Sequence, residues 1–176
     1  DGGGIEPDIE VEKDPISNIA ISLIQKRLIF DYATNYRHAN ESIASADEFN
    51  FSDDDFKEFK LFLSDKEYEY NTETEDVAEQ LKGVAEDELY YESISTEYIA
   101  LITKLEANKK DDLNKFRSEI IELITGEIAS RYYYQKGRII ANLKFDKDVK
   151  EAIKLLKDKE RYNNILAGTS KKWNEQ

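Results

Sequence analysis

The stretch from Leu113 to Tyr132, LNKFRSEIIELITGEIASRY, decides the fold. Leu113, Phe116, Ile120, Leu123, Ile124 and Ile128 recur at spacings of three and four, and Tyr132 continues the row. Residues spaced in that way stand above one another on a single face of an α-helix. Working outward, both prolines of the chain, Pro7 and Pro15, precede residue 16. Everything beyond them lacks the residue that costs about 3 kcal/mol inside a helix. The body is therefore expected to be all-α, a multi-helix, bundle-like domain.

Upstream, a helix is expected from about Ile16 to Tyr36, capped by Asp14 or Ser17. Ile16, Ile19, Ala20, Leu23, Ile24 and Leu28 supply one apolar face, while Ile21, Ile29 and Phe30 add a second. A helix apolar on most sides must be covered on most sides. Ile21, Leu28, Ile29 and Phe30 are therefore the candidate interface residues. Ser52 with Asp55 three residues on forms a capping box, and Asp53, Asp54 and Asp55 favour a helix N-terminus electrostatically. That helix runs to about Leu63, with Phe56, Phe59, Leu61 and Phe62 as core candidates. The acidic triplet lacks the alternating ligands and central Gly of a calcium loop.

Thr72 or Thr74 begins the next helix, with Glu75 as the box partner of Thr72, and a stripe of Val77, Leu81, Val84 and Leu89 follows. Ile94, Tyr98, Ile99, Leu101, Ile102 and Leu105 carry another helix over about 92–106. After the central helix, Gly137 offers a stop or bend, and Ile139, Ile140 and Leu143 form a short continuation. Asp146 caps a helix with Val149, Ala152, Ile153 and Leu156, and Gly168 ends a last apolar turn. Residues 169–176 are a polar tail.

The 176-residue chain carries a net charge of −13, unevenly placed. Residues 1–46 hold 8 acids and 4 bases, 47–92 hold 17 and 4, and 93–176 hold 13 and 17. The acidic middle would repel phosphate backbones, and the basic excess at the end has no aromatic interleaving, which argues against nucleic-acid binding. The acidic middle reads first as a solvated face, while the opposite signs of middle and end also suit mutual contact, within one chain or across a dimer. No apolar run approaches the roughly 20 residues of a membrane span. With no Cys, disulfides, thiol nucleophiles and Cys-based zinc sites are excluded, and the single His38 cannot build a multi-histidine metal site. No cofactor or metal motif is present, so none is expected.

The chain opens Asp1-Gly2-Gly3-Gly4-Ile5-Glu6-Pro7-Asp8-Ile9-Glu10-Val11 and contains no Met. Three glycines, then Pro7, then Ile9 and Val11 alternating with acids, read as a tight turn feeding a short strand over 5–13. So short a strand belongs to a larger sheet, and the chain is expected to be a fragment cut at the turn that closes a preceding domain.

Gly2-Gly3-Gly4-Ile5-Glu6-Pro7-Asp8-Ile9 resembles the turn and strand that close the core of the carboxyl-terminal processing, or tail-specific, serine proteases. Glu119-Ile120, Glu127-Ile128, Arg131-Tyr132-Tyr133-Tyr134-Gln135-Lys136-Gly137-Arg138-Ile139, Asp148, Ala152, Leu155-Leu156, Tyr162 and Ile165-Leu166 resemble the helical C-terminal region of that family's Bacteroides-like branch. The resemblance implies that 1–13 close the missing protease core and that 14–168 form a helical C-terminal domain. It also implies a parent that is exported to the periplasm or cell envelope and uses a Ser nucleophile with a Lys base. Both catalytic residues and the peptide-binding PDZ domain would lie upstream, so no catalytic residue is expected here. Ser42-Ile43-Ala44-Ser45-Ala46-Asp47-Glu48 echoes the family's nucleophile motif, but it falls after the closing turn and lacks the following Gly-Lys-Gly; Ser45 is read as an ordinary serine. Arg131 to Arg138 could form a tyrosine-rich basic ligand site, but it is read as packing, with the rings of Tyr132 and a neighbour buried, hydroxyls on polar partners and Arg131 and Arg138 paired with acids.

The function expected is non-catalytic: oligomer assembly, or shaping access to the parent's active site. The partners implied are the rest of the parent, a second copy in a homodimer, and the parent's protein or peptide substrates. The alternative is an independent helical module that recognises a partner or substrate protein.

Overall fold

In a computed structural model, which describes Gly4 and residues 7–169, the chain is all-helical. Its helices are α1 (Asn18–Gln25), α2 (Leu28–Ala39), α3 (Asp53–Leu63), α4 (Glu73–Asp87), α5 (Tyr91–Lys109), α6 (Asp112–Lys115), α7 (Arg117–Asn142), α8 (Lys147–Lys157) and α9 (Lys159–Leu166). No strand occurs among the described residues. Of the strand expected over 5–13, Ile5 and Glu6 lie outside them, and 7–13 carry only a bend at Asp8–Ile9. A strand exchanges its hydrogen bonds with a neighbour, and no described segment supplies one.

The first expected helix is two helices. The break falls at Lys26–Arg27, where Arg27 takes a left-handed φ of 59°. In a continuous helix Leu23 and Leu28 would stand about 140° apart, following the period of 3.6. Breaking the helix lets both enter one core, where they are 0 % and 6 % exposed. Ser17, not Asp14, caps α1, accepting from the Ala20 amide, and its own amide donates to Glu119 Oε1 at 3.0 Å. That bond ties the start of the domain to α7.

The core gathers α1, α2, α3 and the first part of α7 around Leu23, Ile29, Tyr32, Phe59, Ile120, Ile124 and Ile128. Tyr32 sits amid an aromatic cluster, edge-on to Phe59 at 5.0 Å between ring centroids and to Phe51 at 6.0 Å. Such tilted arrangements favour aromatic pairs beyond the area they bury. Burial, then the negative charge of Asp55, raises the Tyr32 phenol far above its ordinary value and lifts Tyr36 to about 12. The capping boxes Ser52–Asp55 and Thr72–Glu75 both form, as the residue spacing predicts.

α4 and α5 pack against each other as an arm. Only Ala78 and Ala85 are buried on α4, and α5 buries nothing. The expected stripe of Val77, Leu81, Val84 and Leu89 is exposed. Its periodicity is helical, but the small alanines take the inner face. At the base of the arm, Tyr70 Oη donates to the buried Asp112 at 2.6 Å, and Lys109 pairs with Glu75 at 3.0 Å while also donating to the Tyr70 carbonyl. Burial alone would raise Glu75, but bonds from the Thr72 amide and hydroxyl and from Lys109 hold it below the usual carboxylate range.

Candidate functional site

α7 is a hairpin. Tyr134, at φ 57° and ψ −157°, interrupts it. The chain reverses there, so that Arg138 meets Glu127 and Asn142 meets Gly126. Sixteen residues of straight helix would put Gly126 and Asn142 about 24 Å apart. Instead a Cβ on Gly126 would stand 2.7 Å from the Asn142 side chain. Gly137 serves the turn by its lack of bulk. A Cβ there would meet the Tyr133 Cβ at 2.3 Å and the Ala129 carbonyl at 2.9 Å. The bend expected at Gly137 thus occurs three residues earlier, and Gly137 admits the returning segment.

The turn leaves a concavity of about 430 Å³, lined by Ser45, Ala46, Asp47, Tyr132–Tyr134, Lys136, Gly137 and Ile140. Two hydroxyls fix its wall. Tyr132 Oη donates to the Asn40 carbonyl at 2.7 Å, and Tyr133 Oη reaches the Ile43 and Ala44 carbonyls at 3.1 and 3.0 Å. The loop after α2 therefore hangs from the α7 tyrosines. Arg131 and Arg138 both pair with Glu127, the former at 2.8 Å. Arg131 also lies 4.2 Å from the centroid of the Phe30 ring. The arginines are paired and two of the hydroxyls reach polar partners, as the packing reading expects, but the rings are not buried: Tyr132 is half-buried and Tyr133 and Tyr134 are exposed.

Backbone strain marks this turn. A non-glycine residue in this conformation costs of order 1–3 kcal/mol and persists only where its surroundings over-determine it. The Tyr134 side chain is 82 % exposed, so packing of its ring does not compensate. Sequence reasoning missed Tyr134, and the only local signal was the polar Gln135-Lys136 pair ahead of Gly137.

Ser45 and Lys136 share the concavity, yet the Ser45 hydroxyl donates to Glu48 Oε2 at 3.0 Å within its own turn. Among the described residues, no group of three or more His, Asp or Glu is placed to hold a metal ion, and no helix is long and apolar enough to cross a membrane. His38 is exposed in the last turn of α2. Chemically, the concavity offers an apolar wall with one cation, Lys136, and one carboxylate, Asp47, at its edge.

The four candidate interface residues separate. Leu28 and Ile29 are buried in the domain's own core, Ile21 is half-buried, and Phe30 is exposed between Arg27 and Arg131. Splitting the first helix gives its second apolar face a place inside, where Leu28 and Ile29 are buried.

No curated protein and no solved structure matches the chain. A family model does, that of the "Probable PDZ-protease, C-terminal helical domain", over residues 19–156. The match spans most of the chain, from α1 into α8, and the chain belongs to that family.

Proposed function

We propose that this is a non-catalytic helical domain of an exported, serine-type, tail-specific protease, occupying 14–168, with 1–13 as the end of the protease core. Its work is to hold protomers together or to shape access to the parent's active site. The observation that carries this is the family match over 19–156 on an all-helical body. The serine type and export rest on the likeness of Gly2–Ile9 to that family's closing turn.

Two measurements test it. The purified chain is expected to leave peptide substrates intact. Deleting 14–168 from the parent is expected to spare hydrolysis of short peptides while altering assembly or the choice of protein substrates. Peptidase activity in the isolated chain would refute the reading. A second reading, an independent binding module, is favoured by the exposed apolar residues of α4 and α5. It predicts capture of a partner by the chain in the absence of the protease core.

A further inference from the structure

Two open apolar strips carry opposite charge. On α4, Val77, Leu81 and Val84 follow at four and three residues, and they are 57, 51 and 55 % exposed. Glu73 stands four residues before Val77 and Glu88 four after Val84, so acids bracket the strip on its own side. Over 73–109, ten acids stand against three bases. On α8, Ile153 and Leu156 are exposed, and Lys150 and Lys157 stand three residues before and four after Ile153. Over 147–166, six bases stand against four acids. Both strips are apolar at the centre and charged at both ends with the charges reversed, the acids standing about 22 Å apart along α4 and the lysines about 10 Å apart along α8.

We propose that the α4 strip of one copy seats on the α8 strip of a second copy, and reciprocally, so that two such contacts close a twofold dimer. This rests on the assembly half of the function proposed above. Burial of Val77, Leu81 and Val84 against Ile153 and Leu156 supplies the attraction. The acids Glu73 and Glu88 draw the lysines Lys150 and Lys157 across the contact by opposite charge. The alternatives are penalised: α4 on α4 opposes acids, and α8 on α8 opposes lysines. Reciprocity also uses both strips, leaving neither open on the assembled pair.

The test is the mass of the 176-residue chain by light scattering across concentration and salt. The expected result is twice the 20.4 kDa of one chain at low salt. The dimer should weaken as salt shortens the Debye length from about 10 Å at 0.1 M to about 3 Å at 1 M. Leu81→Glu with Val84→Glu is expected to leave a monomer of unchanged helicity. Lys150→Glu with Lys157→Glu should do the same alone, then recover a mixed dimer when combined with a Glu73→Lys, Glu88→Lys copy. A wild-type monomer at every concentration, a dimer that survives Leu81→Glu and Val84→Glu, or reversed copies that fail to recover one another would each overturn the proposal. A monomer without peptidase activity removes this interface and leaves the accessory-domain reading standing; peptidase activity removes that reading whatever the mass.

Discussion

Replacing Gly137 by Ala should destabilise the domain, although the same exchange ordinarily stabilises a helix. Intrinsic propensity favours Ala over Gly by about 1 kcal/mol in a helix interior. Here the new methyl would lie 2.3 Å from the Tyr133 Cβ and 2.9 Å from the Ala129 carbonyl. Neither neighbour is the loose end of a long side chain, so the two segments of α7 must separate. Overpacking of that kind costs about 1–3 kcal/mol, toward the upper end against rigid atoms. The net loss is about 1–2 kcal/mol, or a fall in Tm of about 2–8 °C for a domain of this size. The assay is thermal unfolding followed by circular dichroism at 222 nm. Gly83→Ala is the internal control. Nothing lies within 4 Å of its new methyl, so that variant should strengthen α4 by about 0.5–1 kcal/mol. Its effect should be read by hydrogen exchange in the arm. A Gly137→Ala protein that melts at or above the wild-type temperature would refute the close approach within the hairpin.

Further outcomes follow from the same contacts. Tyr134→Gly should raise Tm by a few degrees, because glycine relieves the positive φ and the lost ring is largely solvent-exposed. Phe59→Ala, at a fully buried position in the aromatic cluster, should cost about 3–5 kcal/mol in denaturant unfolding. Glu75 has a depressed folded value, so the stability it contributes is present above its ordinary 4.5 and is lost as pH falls through the folded value; Glu75→Gln should remove that acid sensitivity of the arm, read by hydrogen exchange. Tyr36 behaves in the opposite sense. Its folded value is raised, so its contribution is intact below about 10 and disappears as pH climbs toward about 12; phenolate absorbance at 295 nm should appear together with unfolding in that window.

What the sequence revealed were local events. Ser52 with Asp55, Thr72 with Glu75, and Asp146 each satisfy backbone amides within a few residues, and each starts a helix where the pattern places it. The central row from Ile120 to Ile128 likewise reaches the core. The break at Arg27 was invisible and the turn at Tyr134 was expected only as a bend at Gly137, because arginine and tyrosine carry no preference for positive φ. The α4 stripe shows another gap: periodicity announces an amphipathic helix but does not name what covers it. Leu61, 73 % exposed beside buried Phe59 and Leu63, illustrates the same point within a single turn. In the candidate site, the pairing of Arg131 and Arg138 was readable from charge, whereas their convergence on one Glu127 depends on a fold-back that no local signal encodes.

The bond between Tyr70 and Asp112 joins the two ends of a long excursion of the backbone. The chain departs at one side of that bond and returns at the other, so the geometry of the trunk is indifferent to how far the intervening loop of structure travels. Its length can therefore drift without disturbing Phe59 or Ile124, because loop closure costs grow only with the logarithm of length. The anchor separates what must stay fixed from what is free to diversify, and places the variable part where a different neighbour could be met without redesigning the rest.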